Sequence, residues 1–401
     1  MSETIPRAPR GLLAMVALLY ASEGLPAGIF HELVQAWLID QYDISESMLG
    51  IISLLALPWT LKALWSPLVD RVGAAGTWIG GALMLVGCTT LLLPWMEVGP
   101  ALWTMLGIMT MASATADVAI DGYTATVVPP ALHGRVNGIR VAAYRGAMLV
   151  AGGGAIALGG ILPWWTIFAG VGLLAMALAA PCFRIPAAPR DPQPTEAWLK
   201  DLWRWLTEPG SLALFAFVLL FKAGDAAMAP MIKPFWLKET GAGLSLEELG
   251  LISVTVGAGL TVAGAMLGGE LATRWGLFKA LWILGALQAI SNLGYMGAAM
   301  MPTRWMVYGA SMVESFCSGL GVAAFLAFLM RICEAKQAAT RFSLLVAMGM
   351  LFRNLISAPS GYMVEAWGYA TYFGITFLMA LPAFALLPAI RKRVSVTMAV
   401  E

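Results

Sequence analysis

Asp117 and Asp121 stand four residues apart in the run Ala114-Thr115-Ala116-Asp117-Val118-Ala119-Ile120-Asp121, inside an otherwise apolar stretch. At that spacing two carboxylates share one face of a helix. An ionisable group at bilayer depth costs roughly 2.5–3.5 kcal/mol on insertion scales, so it faces a partner or a wet cavity. Burial disfavours the charged form of a carboxyl group, which is the property a proton carrier needs. The same acids could instead be halves of structural ion pairs. With residue 130 as the middle of the following turn, Asp121 lies nine residues before it and Arg140 ten after; Asp117 lies thirteen before and Arg145 fifteen after. Each acid therefore has an arginine at similar depth, and both readings stay open.

Glu23, Lys62, Lys222, Asp225, Lys233, Glu314 and Arg353 also lie within apolar stretches. Lys222 and Asp225, three residues apart, can pair with each other. Glu314 and Arg353 are partners by depth, with a looser count. Lys62 has no acid near it in sequence and is expected to face a cavity, as counter-charge to an anion or to Glu23. Glu23-Gly24-Leu25-Pro26 predicts a kink, because proline removes a helical hydrogen bond. His31-Glu32-Leu33-Val34-Gln35 lacks the second histidine of a zinc-protease helix, so His31 is read as a vestibule residue and no metal is expected. Tyr144 or Trp236 could stack on a sugar or aryl ring. Glycine runs such as Gly152-Gly153-Gly154 follow no strand, so they point to close helix packing and not to a nucleotide loop.

The elements that must hold these groups are membrane helices. The chain is 60% hydrophobic and 12% charged, against roughly 25% charged for a soluble domain. Twelve apolar stretches are long enough to span: about 11–38, 47–68, 77–96, 100–122, 138–160, 164–182, 210–237, 246–269, 277–300, 303–330, 341–362 and 367–390. Their runs are continuous, which excludes alternating barrel strands. The first is too long for a cleavable signal. The charges at depth fall in stretches 1, 2, 4, 5, 7, 10 and 11 and spare 3, 6, 9 and 12, so those four are expected to face lipid. Four cysteines show no metal or disulfide spacing, and a net charge of +1 predicts no nucleic-acid partner. With the N-terminus inside, sixteen loop and terminal Lys and Arg are cytoplasmic and two, Lys238 and Arg304, are outside, which places both termini in the cytoplasm.

One long polar interruption, 184–209, divides the chain into an N-terminal six-helix bundle (1–183), a cytoplasmic linker and a C-terminal six-helix bundle (210–401). Within the linker, Trp198, Leu202 and Trp205 recur at helical spacing and predict a short amphipathic interfacial helix. The loop after stretch 2, Ser66-Pro67-Leu68-Val69-Asp70-Arg71-Val72-Gly73, is echoed after stretch 8 by Gly268-Gly269-Glu270-Leu271-Ala272-Thr273-Arg274-Trp275-Gly276. Tandem halves of this kind are a transporter signature, with the solute site at their interface.

These two loops resemble the G-x-L-a-D-r-x-G motif of the major facilitator superfamily. Further stretches are similar to its AmpG-like muropeptide permease branch, which also holds acetyl-CoA transporters and siderophore importers. They are Gly24-Leu25-Pro26, Gln35-Ala36-Trp37-Leu38, Leu57-Pro58-Trp59-Thr60-Leu61-Lys62, Asp117-Val118-Ala119-Ile120-Asp121, Tyr144-Arg145-Gly146-Ala147, Lys222-Ala223-Gly224-Asp225 and Ser291-Asn292-Leu293-Gly294-Tyr295. The resemblance implies an all-α membrane protein of twelve transmembrane helices in two pseudo-symmetric six-helix bundles. It implies a multi-pass protein of the bacterial inner membrane, monomeric and without cofactor. It would import a bulky, anionic, muropeptide-like solute with protons by alternating access. Asp117, Asp121, Glu314 and Glu23 would carry protons. Lys62, Arg145, Lys222, Asp225, Arg353 and Tyr144 would bind solute. Asp70, Arg71, Gly73, Glu270, Arg274 and Gly276 would form a cytoplasmic gate. Import of a ferric siderophore is the alternative, which Asp225-Ala226-Ala227-Met228-Ala229-Pro230-Met231 resembles. A membrane enzyme or sensor is the remaining rival, without a nucleophile motif to support it.

Overall fold

The computed structural model describes residues 10–128, 133–185, 211–332 and 338–397, and every regular element among them is helical. The Trp-rich linker stretch lies outside the described residues. Among the described residues, ten helices are long and apolar enough to cross a membrane: α1 (Gly11–Tyr42), α3 (Ala75–Trp95), α4 (Pro100–Thr124), α5 (Gly138–Gly159), α6 (Trp164–Cys182), α7 (Leu212–Leu237), α8 (Leu246–Trp275), α9 (Leu277–Met300), α10 (Arg304–Leu329) and α12 (Ser360–Ile390). Two apolar helices are shorter, α2 (Glu46–Leu61) and α11 (Leu345–Ser357). Bulky apolar side chains such as Met84, Leu173, Met266, Ile290 and Leu378 stand exposed. In water such surface would associate; at the length of these helices it meets lipid chains. The chain is an integral membrane protein.

Several helices depart from straight α geometry, and the sequence supplies the reasons. The bend expected at Glu23–Pro26 is not a break. The helix runs through Pro26 and widens into a π-helical turn at Ile29–Val34. Proline has no N–H for the carbonyl four residues back, and the slack is taken up by wider turns. A matching π turn, Val150–Gly154, occurs in α5 and lies against that of α1. The stretch expected as one span over 47–68 is a chain of short turns. Helical Glu46–Ile52 passes to 3-10 Ser53–Ala56, helical Leu57–Leu61 and 3-10 Lys62–Leu64. Pro58 removes one donor, and Ser53 Oγ donates to the Gly50 carbonyl at 2.6 Å. Likewise α7 breaks between Leu220 and Ala223, and α12 is bent at Gly368, where φ is 75°.

The chain forms two compact units. The first comprises 1–42, 58–192 and 246–251; the second comprises 43–57, 193–245 and 252–401. These bounds differ from the expected halves in two places: the start of α2 groups with the second unit and the start of α8 with the first.

In the first unit, α1 crosses α5 closely at glycines. A Cβ on Gly28 would lie 2.7 Å from the Met148 carbonyl oxygen. Gly87 of α3 and Gly172 of α6 face each other in the same way. Lipid tails offer no hydrophobic drive between helices, so small residues that admit close backbone contact supply much of the packing. Trp37, 2% exposed, meets Phe168 edge-on at 5.1 Å and closes the core. The start of α8 completes this unit: Gly250 packs on Gly153 and Ala157 of α5.

In the second unit, α8 and α10 pack through Gly264, Gly268 and Gly319. A Cβ on Gly268 would lie 2.6 Å from the Leu320 carbonyl oxygen. Backbone cannot yield as a flexible side chain can, so Gly268→Leu should lower the melting temperature of the purified protein by about 3–10 °C. A thermal-shift assay in detergent reads this directly, and an unchanged midpoint would refute the close packing. Phe221 stacks on Phe325 at 5.2 Å, and Phe217 and Phe328 fill the interior. The start of α2 is held by α7 and α12. Glu46 accepts from Tyr369 at 3.0 Å and from Thr240 at 3.3 Å, and pairs with Lys238 at 3.3 Å. The Ser47 N–H donates to Glu365 at 2.7 Å, and Gly361 lies flush against the backbone of Glu46.

Candidate functional site

Asp117 and Asp121 project from one face of α4 toward α1 and the end of the α2 region, as their four-residue spacing requires. The 3-10 turn at Lys62–Leu64 delivers Lys62 to both. Its Nζ lies 2.6 Å from Asp117 Oδ2 and 3.4 Å from Asp121 Oδ2. From α5, Arg140 pairs with Asp121 at 3.2 Å and sits 4.5 Å over the ring of Tyr20. The Tyr20 hydroxyl in turn donates to Asp121 at 3.2 Å. Glu23, one turn along α1 from Tyr20, brings a third carboxyl beside Asp117. Glu23 Oε2 and Asp117 Oδ1 are buried and accept no hydrogen bond. The cluster thus sets three carboxyls against two cations. Charges held this way stabilise only when each has its counter-charge, and loss of one partner is strongly destabilising.

Depth counting finds the Asp121–Arg140 pair but misassigns Asp117. Its cation is Lys62, and the Arg145 side chain is exposed on α5. Five residues turn a helix by about 140° beyond a full circle, so Arg140 and Arg145 cannot both face α4. Lys62, expected as counter-charge to an anion or to Glu23, holds Asp117 and Asp121. Tyr144, in the same helix, is partly exposed, and its backbone lies against Gly24. Tyr20 carries no charge, so a pattern of charges does not mark it; its place one turn before Glu23 is its signal in the sequence.

The second unit has its own polar cluster. Lys222, at the break in α7, pairs with Asp225 at 3.2 Å. The Gln288 amide of α9 also donates to Asp225. Glu314 of α10 lies where the charges of Asp225 and Lys222 act on it, and so does the hydroxyl of Ser315. The Arg353 side chain, expected at the depth of Glu314, is exposed on α11. Helix α9, expected to face lipid, exposes Leu287 and Ile290 but buries Gln288, Ser291 and Asn292 on its other side. Neutral amides at i and i+4 carry no charge, so a search for charges passed over them. Among the described residues no three His, Cys, Asp or Glu are grouped to hold a metal ion.

Comparison with known proteins sets these clusters in a family. Residues 12–353 match the family model of the Major Facilitator Superfamily. The chain belongs to the Major Facilitator Superfamily. Within it the chain is AmpG-like. It is 30% identical to the anhydromuropeptide permease of Escherichia coli (strain K12), over 96% of this chain and 80% of that one. It is 25% identical to putative transporter AmpG 4 of Rickettsia felis (strain ATCC VR-1525 / URRWXCal2), over 93% and 95%. Solved structures share the fold. The nucleoside transporter NupG has a TM-score of 0.74 at 13% identity, covering 95% of this chain and 98% of that one. A D-xylose-proton symporter has a TM-score of 0.71 at 14% identity, covering 94% and 97%. This facilitator is therefore a transporter by family, as its named relatives and structural neighbours are, and they do not favour the siderophore alternative.

The facilitator's two motif loops share a backbone signature. Gly73 and Gly276, each ending its loop, have φ of 66° and 80°, a region where a side chain is strained. Glu270 and Arg274 pair with each other at 2.6 Å on an exposed helix end. Arg71 is exposed, and the Asp70 side chain lies outside the described residues. Trp78 Nε1 closes the first loop by donating to the Val72 carbonyl at 2.6 Å.

Proposed function

We propose that this AmpG-like facilitator is a proton-coupled importer of a bulky, anionic, muropeptide-like solute, working by alternating access in a bacterial inner membrane. The observation that carries the coupling is the charge count of the first cluster. Glu23, Asp117 and Asp121 face Lys62 and Arg140, and two carboxylate oxygens there lack a donor. One proton on the Glu23–Asp117 side balances the cluster, and losing it leaves one net negative charge in the membrane interior. Protonation therefore changes the energy of the site by an amount that can bias one conformation over another. The solute class rests on the 30% identity to an anhydromuropeptide permease.

In this reading the apolar stretches form twelve spans in two six-helix bundles, with both termini cytoplasmic, and the protein acts as a monomer without enzymatic activity. Asp117, Asp121, Glu23 and Glu314 serve the proton. Lys222 and Asp225 meet the solute, and Arg145, Arg353 and Tyr144 make further contacts with it. Lys62 is a counter-charge first, since its two acids already hold it. The Asp70, Arg71, Gly73 and Glu270, Arg274, Gly276 loops are the cytoplasmic gate. Uptake of radiolabelled anhydromuropeptide into proteoliposomes tests the proposal. An imposed inward proton gradient should drive accumulation, and a protonophore should abolish it. Accumulation that follows a sodium gradient instead would remove the proton assignment, and labelled ferric siderophore taken up in its place would remove the solute.

A further inference from the structure

Asp225 has two donors of different kinds on one oxygen. Lys222 Nζ reaches Oδ2 at 3.2 Å, and Gln288 Nε2 donates to the same atom. The two donors are held very differently. Lys222 sits at the break in α7, where helical geometry stops at Leu220 and resumes at Ala223. Its side chain is 25% exposed. Gln288 is 3% exposed. Its amide lies over Gly321 of α10, where any side chain would strike its oxygen. One turn further along α9, Asn292 is fully buried and donates to Thr376 at 3.2 Å, which fixes this face of the helix.

We propose that Gln288 is a positioning residue for solute recognition: it holds Asp225 in place so that Lys222 can leave that acid and take up a carboxylate of the solute. This rests on the reading of an anionic muropeptide-like solute given above. A carboxylate with a single cation as its only donor keeps that cation, because separation would leave it bare in a medium of low polarity. A second, neutral and immobile donor lowers the penalty of letting go. Gln288 suits this role because an amide donates without adding charge, and because its burial keeps it from following Lys222. The side chain with freedom to move is the charged one. Gln288 therefore acts through Lys222 and Asp225 and need not touch solute. Helix α9 contributes to specificity although its opposite face, at Leu287 and Ile290, is exposed apolar surface.

The test compares two probes in proteoliposomes: radiolabelled anhydromuropeptide with its free carboxylates, and the same compound with those carboxylates amidated. Gln288→Met should raise KM for the carboxylate probe roughly tenfold and leave KM for the amidated probe unchanged, since only the former needs Lys222 released. In an Asp225→Asn background the Gln288→Met change should no longer alter KM for the carboxylate probe, because Lys222 has no acid to leave: the double variant and Asp225→Asn alone should share one KM. Equal effects on both probes would mark Gln288 as a structural residue and overturn the proposal, as would no effect at all. If Gln288→Met is not recovered as a monodisperse protein, Gln288→Asn keeps the amide but shortens its reach, and the same split is expected. Failure of the unaltered protein to move either probe would sink the solute assignment and this proposal with it, whereas normal transport without the KM split would sink the proposal alone.

Discussion

Asp117→Asn is expected to abolish uphill accumulation of solute while leaving exchange of solute for solute intact. The basis is the charge count around α4. Asparagine keeps the shape of the aspartate and can still bond Lys62, which retains Asp121 at 3.4 Å. Arg140 keeps its own contact with Asp121 at 3.2 Å. The remaining charges, Glu23 and Asp121 against Lys62 and Arg140, balance without a proton, so the protein should fold and bind. What disappears is the excess acid on which the proposed coupling depends. A gradient of one pH unit sustains about tenfold accumulation per coupled proton, equal to roughly 1.4 kcal/mol, and the variant should reach only the external concentration. Proteoliposomes preloaded with unlabelled solute measure the retained exchange. Undiminished accumulation under a proton gradient would show that Asp117 takes no part in coupling.

Lys62→Met should have a larger effect on the protein itself. It leaves Asp117, whose side chain is 10% exposed, with no cation, and it leaves Asp121 with Arg140 alone. Removing one member of a buried pair is worth 3–5 kcal/mol; with 30% of the Lys62 side chain exposed, about 2–4 kcal/mol is expected here. That corresponds to a melting temperature about 5–10 °C lower. Transport should fall to background. Combining Lys62→Met with Asp117→Asn removes the stranded charge and should recover most of the lost stability without recovering accumulation. The comparison separates the two roles of the pair. If the double variant is no more stable than Lys62→Met alone, the 2.6 Å contact is not what holds this region together.

Much of this was legible from residue types, and the remainder fails for geometric reasons. Apolar length marked the helices, because hydrocarbon thickness admits few solutions. Depth along a hairpin located Arg140 opposite Asp121, since both lie on adjoining helices and the count needs only their rise. It misplaced Arg145, because depth says nothing about rotation around the helix axis. It could not find Lys62 for Asp117, 55 residues away along the chain, because that contact depends on how α2 and α4 pack. The 3-10 turn that aims Lys62 follows from Pro58 and Ser53, which spoil a regular span. Gln288 and Asn292 were invisible for another reason. A neutral amide in an apolar run carries little penalty in any hydropathy argument, so only the structure shows that both turn inward.

The start of α2 and the start of α8 each complete the unit that holds the opposite end of the chain, and this sets an order of assembly during synthesis. Gly250 meets Gly153 and Ala157, fewer than a hundred residues behind it, so the first unit gains its last piece soon after the chain passes midpoint. Gly50 meets the backbone of Ala358 and Gly361, more than three hundred residues ahead. At roughly 5–20 residues per second, that partner is made about 15–60 s later. Glu46 meets Lys238 and Thr240 earlier in that interval, but the backbone on which Gly50 packs is made only with the last helices. Translation therefore leaves one seam open until its final helices arrive. A chain stalled before Ser360 would present that seam to quality-control proteases.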